Sequence, residues 1–387
     1  MGNCVNSGQL QSTQFALDLL QLLHKDGSNL VLSPYSLVSA LVMLLPGTDR
    51  ESRAQIVKSL FDADDSKGEN ADKYVKLLAA TNKANLLKNK DTLKVANLLY
   101  LHKDFTLKPE YVSVLTKELN ATGKSLDFRR QEAKTLDTIN SDVSKATNGL
   151  IDNLLEQISN ETVLILVNAI YFKGLWKKSF CKDETNEKGE FRTSLGDVIE
   201  TPLMFMRRKL PYVFDNETGT QAVQLNYQKK GNIAMVLILP GEGVPVSSFL
   251  KGELTSSKLY DILNLFSVGP KVNLILPRFK LSTTHQLIEP LSKLGVTDVF
   301  DFSKANLSHI SSSGPIFVTE VVQKAVITVD EKGTKAAAAT AYSITYSLGA
   351  PPRKEEVYFT ADRPFIFALV TQDTPKQVLF IGVVEDP

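Results

Sequence analysis

Four histidines (His24, His102, His285, His309) and two cysteines (Cys4, Cys181) are the residues best suited to nucleophilic, acid–base or metal chemistry at neutral pH. Their spacing builds none of it. No H-E-x-x-H pair sets two imidazoles on one helix face, so zinc-protease chemistry has no support. No G-x-S-x-G elbow, phosphate-cradling Walker loop or C-x-x-C pair occurs. A Ser-His-Asp triad needs no local motif, so that absence alone excludes little. The histidines are therefore expected to be surface or capping groups, with no metal and no cofactor. The cysteines are expected to be free thiols, with Cys4 in a disordered tail over residues 1–11.

Other side chains offer binding or modification instead of catalysis. Four N-x-[ST] sequons, at Asn120, Asn160, Asn216 and Asn306, are candidate N-glycosylation sites and favour a secreted, extracellular protein. Against this, Met1–Asn6 has no apolar leader, which keeps a cytoplasmic alternative open. Met1-Gly2 with Cys4 also suggests an acyl anchor, although Asn6 stands where the motif wants Ser or Thr. Lys73, Lys76 and Lys83 fall near one helical face and are candidate contacts for heparin or another glycosaminoglycan. Asp72 and Glu69 dilute that charge, so a solvated helix face is the simpler alternative. A net charge of +1 gives no reason to expect a nucleic-acid partner, and no apolar run is long enough to span a membrane.

The elements that must position these groups change character along the chain. Phe15, Leu19, Leu20, Leu22 and Leu23 recur at helical spacing, and Gly27-Ser28 closes that helix. A second apolar helix is expected from Ser36 to Leu45 and another over Thr135–Ser144, with a strand at Val95–Leu101 between them. Beyond residue 160, Val163–Val167, Met235–Leu239, Val272–Leu276, Ala325–Val329 and Gln377–Val384 read as strands, the first being apolar enough for burial on both faces. Helix-rich first and strand-rich afterwards is an α+β pattern without an internal linker. Taken alone, the residues establish one large α+β unit and no activity.

Three segments carry more. Asn168-Ala-Ile-Tyr-Phe-Lys-Gly-Leu-Trp176, followed by Phe180, contains the chain's one tryptophan. Phe359-Thr-Ala-Asp-Arg-Pro-Phe-Ile-Phe-Ala-Leu369 lies near the C-terminus, and Val329-Asp-Glu-Lys-Gly-Thr-Lys-Ala-Ala-Ala-Ala-Thr340 lies between them. All three resemble signatures of the serpin family, of inhibitory and invertebrate-like type. Shorter matches at Ser33–Ser36, Ala96–Tyr100, Leu276–Lys280 and Leu294–Asp298 follow in the family's order. The resemblance runs from about residue 12 to the C-terminus. It implies one domain over residues 1–387 with three β-sheets, eight or nine helices and an exposed reactive-centre loop at about 331–356. It further implies a monomeric suicide inhibitor, not an enzyme, whose partner is a serine protease held as a covalent acyl complex. Two departures stand out: Asp142 replaces a tryptophan of the family pattern, and Gln323 replaces a histidine common in the sheet-opening region. The resemblance assigns that region to Ser33, Ser36, Asn168, Trp176 and Gln323.

The proposed hinge contains Glu331, Gly333, Thr334, Ala336, Ala338 and Thr340. Alternate residues of a strand face opposite sides, so Thr334, Ala336, Ala338 and Thr340 would enter a packed sheet together. All four are small and uncharged, which avoids overpacking, whereas Lys335 falls on the solvated side. On composition alone, 334–340 reads rather as an alanine-rich helix capped by Thr334, and its placement between the other two signatures reverses that reading. Family spacing from Glu331 puts the scissile bond after Ser347, with Tyr346 and Leu348 as neighbours. These residues suit a chymotrypsin- or elastase-class pocket. A trypsin-like target through Arg353 and a non-inhibitory carrier, storage or chaperone serpin are the alternatives.

Overall fold

Leu164–Phe172, apolar but for Asn168, forms a strand with every residue buried, and the rest of the architecture covers its two faces. The computed structural model describes residues 2–65, 71–228, 232–266, 269–333, 356–374 and 376–387. The helices are α1 (Gly2–Leu23), α2 (Pro34–Val42), α3 (Arg50–Phe61), α4 (Ala71–Lys88), α5 (Pro109–Lys117), α6 (Glu132–Ala146), α7 (Val246–Ser248), α8 (Ser256–Asn264) and α9 (Ile288–Lys293). The first strands are β1 (Leu30–Leu32), β2 (Leu93–His102), β3 (Thr122–Leu126), β4 (Leu164–Phe172), β5 (Asn186–Arg192), β6 (Val198–Lys209), β7 (Tyr212–Phe214) and β8 (Gln221–Asn226). The remainder are β9 (Ile233–Leu239), β10 (Lys271–Pro277), β11 (Phe279–Gln286), β12 (Glu320–Val329), β13 (Glu356–Thr360), β14 (Phe365–Thr371) and β15 (Val378–Val384). Nine helices and three sheets are thus present among the described residues, as the family resemblance implies.

The sheets run β1-β15-β14-β9-β8-β7, β13-β10-β6-β5 and β11-β12-β4-β2-β3. Alternation along β4 divides its side chains between cores. Ile165, Val167, Ala169 and Tyr171 pack beneath Ile139 and Val143 of α6. Leu164 and Leu166 join the large core under α1 and α2, whereas Ile170 and Phe172 meet the aromatic core between the sheets. β14 and β15 are likewise buried throughout, because helices cover one face and the four-stranded sheet the other.

Two sequence expectations change. Residues 2–11, expected as a tail, are helical from Gly2; the segment has no proline and one interior glycine, so nothing stops the helix propagating to the terminus. The histidines are not mainly surface groups either. The His24 and His102 side chains are 2% and 1% exposed, held against Glu385 Oε1 at 2.7 Å and by Asp104 N–H donating to Nδ1 at 3.2 Å. His285 is partly buried with Nε2 3.0 Å from the Val31 carbonyl, and His309 alone is exposed. One ring nitrogen each of His24, His102 and His285 thus serves as a fold-internal hydrogen-bond group.

Candidate functional site: the β4–β12 seam and its hinge

β12 lies beside β4 as a parallel pair, from Glu320 opposite Ile165 to Ile327 opposite Phe172. The two strands are direct hydrogen-bonded neighbours, with no described strand between them. A side-chain cluster spans this seam. Ser33 caps α2 by accepting from Ser36 N–H at 3.1 Å and donates its hydroxyl to Leu379 O at 2.6 Å. Gln323 Oε1 accepts from Ser33 N–H at 2.9 Å, while Nε2 donates to Ser33 O at 3.0 Å and to Asn168 Oδ1 at 2.7 Å. Asn168 Oδ1 also accepts from Ser36 Oγ at 2.6 Å, and its Nδ2 donates to Ser36 O and Asn97 Oδ1 at 3.2 and 2.7 Å.

Both protons of each amide are used, and each amide oxygen is engaged. Ser33, Ser36, Asn168 and Gln323 are at most 1% exposed, so this satisfaction is what makes four buried polar residues tolerable. Gln323 and Asn168 are directly opposite across the seam; their side-chain bond reinforces the backbone ladder from one flank. None of these four residues titrates near neutral pH. The expected sheet-opening residues Ser33, Ser36, Asn168 and Gln323 therefore form one network. Asn97 belongs to it too; it lies inside the Ala96–Tyr100 match, which by itself assigns it no role.

Trp176 sits apart from that network, at the upper end of β12. Its Nε1 donates to Asp330 O at 2.9 Å and its backbone N–H to Lys332 O at 3.2 Å, while the ring stacks on Tyr227 at 4.2 Å. Phe180 N–H donates to Glu331 O at 2.8 Å. The Glu331 carboxylate accepts from Thr185 Oγ1 at 3.0 Å and from Arg278, which also bonds Glu187 at 3.1 Å. Burial pushes the Glu331 carboxyl up, but the bonds from Arg278, its own backbone and Thr185 outweigh burial and hold it below the usual carboxylate value. Gly333 has φ +80°, and a Cβ there would lie 2.3 Å from Trp176 N, so glycine is required sterically and conformationally. Four residues after β12 are thereby clamped before the chain leaves toward 334. Thr334, Ala336, Ala338, Thr340, Tyr346, Ser347, Leu348 and Arg353 lie outside the described residues.

The remaining candidates lie elsewhere. Lys73, Lys76 and Lys83 are exposed on α4, which docks through the buried Asn82 and Asn85. Asn82 donates to Ser39 Oγ at 2.9 Å and Asn85 to Gln377 Oε1 at 2.6 Å. Asn120, Asn160 and Asn216 are exposed and Asn306 is half-buried. Cys181 is a free, exposed thiol, and the Cys4 side chain lies outside the described residues. Asp142, standing where the family pattern has tryptophan, accepts from Tyr100 Oη at 2.9 Å and Lys124 Nζ at 2.6 Å. Among the described residues no group of three potential ligands could hold a metal, and no helix is long and apolar enough to cross a membrane.

Residues 10–387 match the family model described as serpin (serine protease inhibitor). The chain is 35% identical over 386 residues to the human leukocyte elastase inhibitor, covering 97% of this chain and 98% of that protein. Tengpin, a thermophilic serpin solved in its native state, superposes with a TM-score of 0.85 at 29% identity, covering 98% of this chain and 94% of that one. Native protease nexin-1 with heparin superposes at 0.83 and 30% identity, covering 99% of this chain and 100% of the other.

Proposed function

Since the chain belongs to the serpin family of serine protease inhibitors, we propose that it acts as a monomer that traps an elastase- or chymotrypsin-class protease by inserting its cleaved loop into the β4–β12 seam. The observation that carries this is the unseparated parallel pair of β4 and β12, next to a hinge anchored at Gly333. The protease serine Oγ attacks the carbonyl carbon at Ser347 or a neighbour, the peptide C–N bond breaks, and the serine proton leaves on the new amine. An ester then joins the inhibitor to the protease. Insertion replaces one parallel ladder by two antiparallel ones, and about ten new backbone bonds at ~1 kcal/mol each release on the order of 10 kcal/mol. That is enough to drag the tethered protease before water cleaves the ester.

Several finer points rest on narrower support. The name of the human relative favours an elastase-like target over a trypsin-like one reached through Arg353. The secreted, glycosylated form suggested by the sequons gains nothing from the relatives, whereas a free exposed Cys181 suits the reducing, cytoplasmic alternative. Exposed Lys73, Lys76 and Lys83 support glycosaminoglycan binding as a second, separable activity. Incubation with a protease panel, followed by denaturing gels and mass spectrometry of the released C-terminal peptide, tests the reading. A denaturant-stable adduct and cleavage after Tyr346, Ser347 or Leu348 are expected. Cleavage without adduct would mark a non-inhibitory member, and release after Arg353 a trypsin-like target.

A further inference from the structure

The reactive segment rejoins the described fold at Glu356, the first residue of β13 and an edge of the four-stranded sheet. The register sets Lys271 opposite both Lys209 and Glu356, and Asn273 opposite both Arg207 and Tyr358. Val272, Leu274, Met204, Met206 and Phe359, which alternate with these residues, are buried. Strand alternation therefore turns Arg207, Lys209, Lys271 and Tyr358 outward. Tyr358 is 68% exposed, so its ring does no packing work in the core. One carboxylate, Glu356, pairs with both Arg207 and Lys271, which leaves three cations against a single anion. The whole chain carries only +1, so this excess is local.

We infer that the outer face of β6, β10 and β13 is a second contact surface for the target protease and selects one with an acidic rim around its cleft. The inference rests on the inhibitory reading above. An irreversible trap discriminates among proteases by how fast it captures them. Charges at the rim of an interface act chiefly on the association rate. A basic face continuous with the loop root raises the local concentration of an acidic protease and disfavours a basic one. Tyr358 then supplies an aromatic anchor once the loop is engaged.

The panel protease that forms the adduct is used in native and succinylated form, since succinylation replaces lysine cations by carboxylates and leaves the catalytic serine in place. Second-order rates of adduct formation are measured for wild type, Lys209→Glu, the double variant Arg207→Glu/Lys209→Glu, Tyr358→Ala and Lys117→Glu. Lys209 makes no ion pair among the described residues, so its reversal leaves the fold's salt bridges intact, and thermal unfolding checks the double variant. Lys117→Glu, on α5 against β3, controls for net charge. Wild type should capture the succinylated form faster at low salt, and the double variant should cut that preference about tenfold. The difference should vanish near 0.5 M salt, where the Debye length is only about 4 Å. Adduct stoichiometry should not change, and Tyr358→Ala should slow both forms alike. Equal preferences in wild type and double variant, or an equal effect of Lys117→Glu, would overturn the assignment. Absence of any adduct would instead count against inhibition itself.

Discussion

Gln323→Ala removes a side chain that bonds across the seam to Asn168 and to Ser33 at the start of α2 at once. Ser33 N–H, fully buried, would lose its acceptor at a cost of ~1–3 kcal/mol. Ser33 O and Asn168 Oδ1 would each lose a donor worth ~1 kcal/mol. The sum is about 3–5 kcal/mol. With an unfolding entropy of ~2.1 cal/mol/K per residue over 387 residues, that lowers the unfolding midpoint by about 4–6 °C. The bond to Asn168 must break whenever a strand enters, so its loss also eases opening. At ~1 kcal/mol it should speed spontaneous inactivation roughly fivefold. Circular-dichroism melts and timed assays of adduct-forming capacity read the two effects. A midpoint and an inactivation rate equal to wild type would refute the claim that this network holds the seam. Gln323→His extends the test: an imidazole cannot accept from Ser33 N–H and donate twice as well, and it should make opening pH-dependent below its pKa.

Three further outcomes are expected. Thr334→Arg puts a charge first into the sheet, and ~3 kcal/mol on that step slows insertion about a hundredfold; the variant should be cleaved at the same bond and release active protease, and a wild-type adduct yield would show the hinge register to be wrong. Arg278→Ala leaves the Glu331 carboxylate, 9% exposed, without its guanidinium. It should lower stability by about 1–3 kcal/mol, less than in a fully buried pair because Arg278 is itself one-third exposed; an unchanged urea midpoint would mean that the Arg278 pair adds nothing to the hinge clamp. Burial holds the His102 and His285 rings below their ordinary value of 6.5, so just below that pH the unfolded chain binds more protons and stability falls as pH drops. Denaturation midpoints from pH 7 to 5 should show this decline, reduced in His285→Gln; a flat profile would contradict it.

Regular, fully buried elements were legible from apolar pattern, and the site only in part. Val163–Val167 read as a strand, yet β4 runs on to Phe172 because Asn168 is satisfied by Ser36, Asn97 and Gln323, partners no local pattern can supply. β6 escaped notice: its exposed and buried residues alternate weakly and Pro202 interrupts it. Pro202 is tolerated opposite the irregularity between Asn186 and Gly189, where β5 needs no donor from it. The Glu331–Arg278–Glu187 clamp joins residues from three separate stretches. Arg278 stood inside a recognised match without its role being readable, because charge pairing across 53 residues leaves no periodic trace.

Loop insertion at the β4–β12 seam is tested most directly by thermal unfolding of the intact chain against the same chain nicked within 346–353. Insertion worth on the order of 10 kcal/mol should raise the midpoint of the nicked form by at least about 10 °C. Equal midpoints for the two forms would mean that the cleaved loop does not enter the sheet, and would contradict the trapping mechanism.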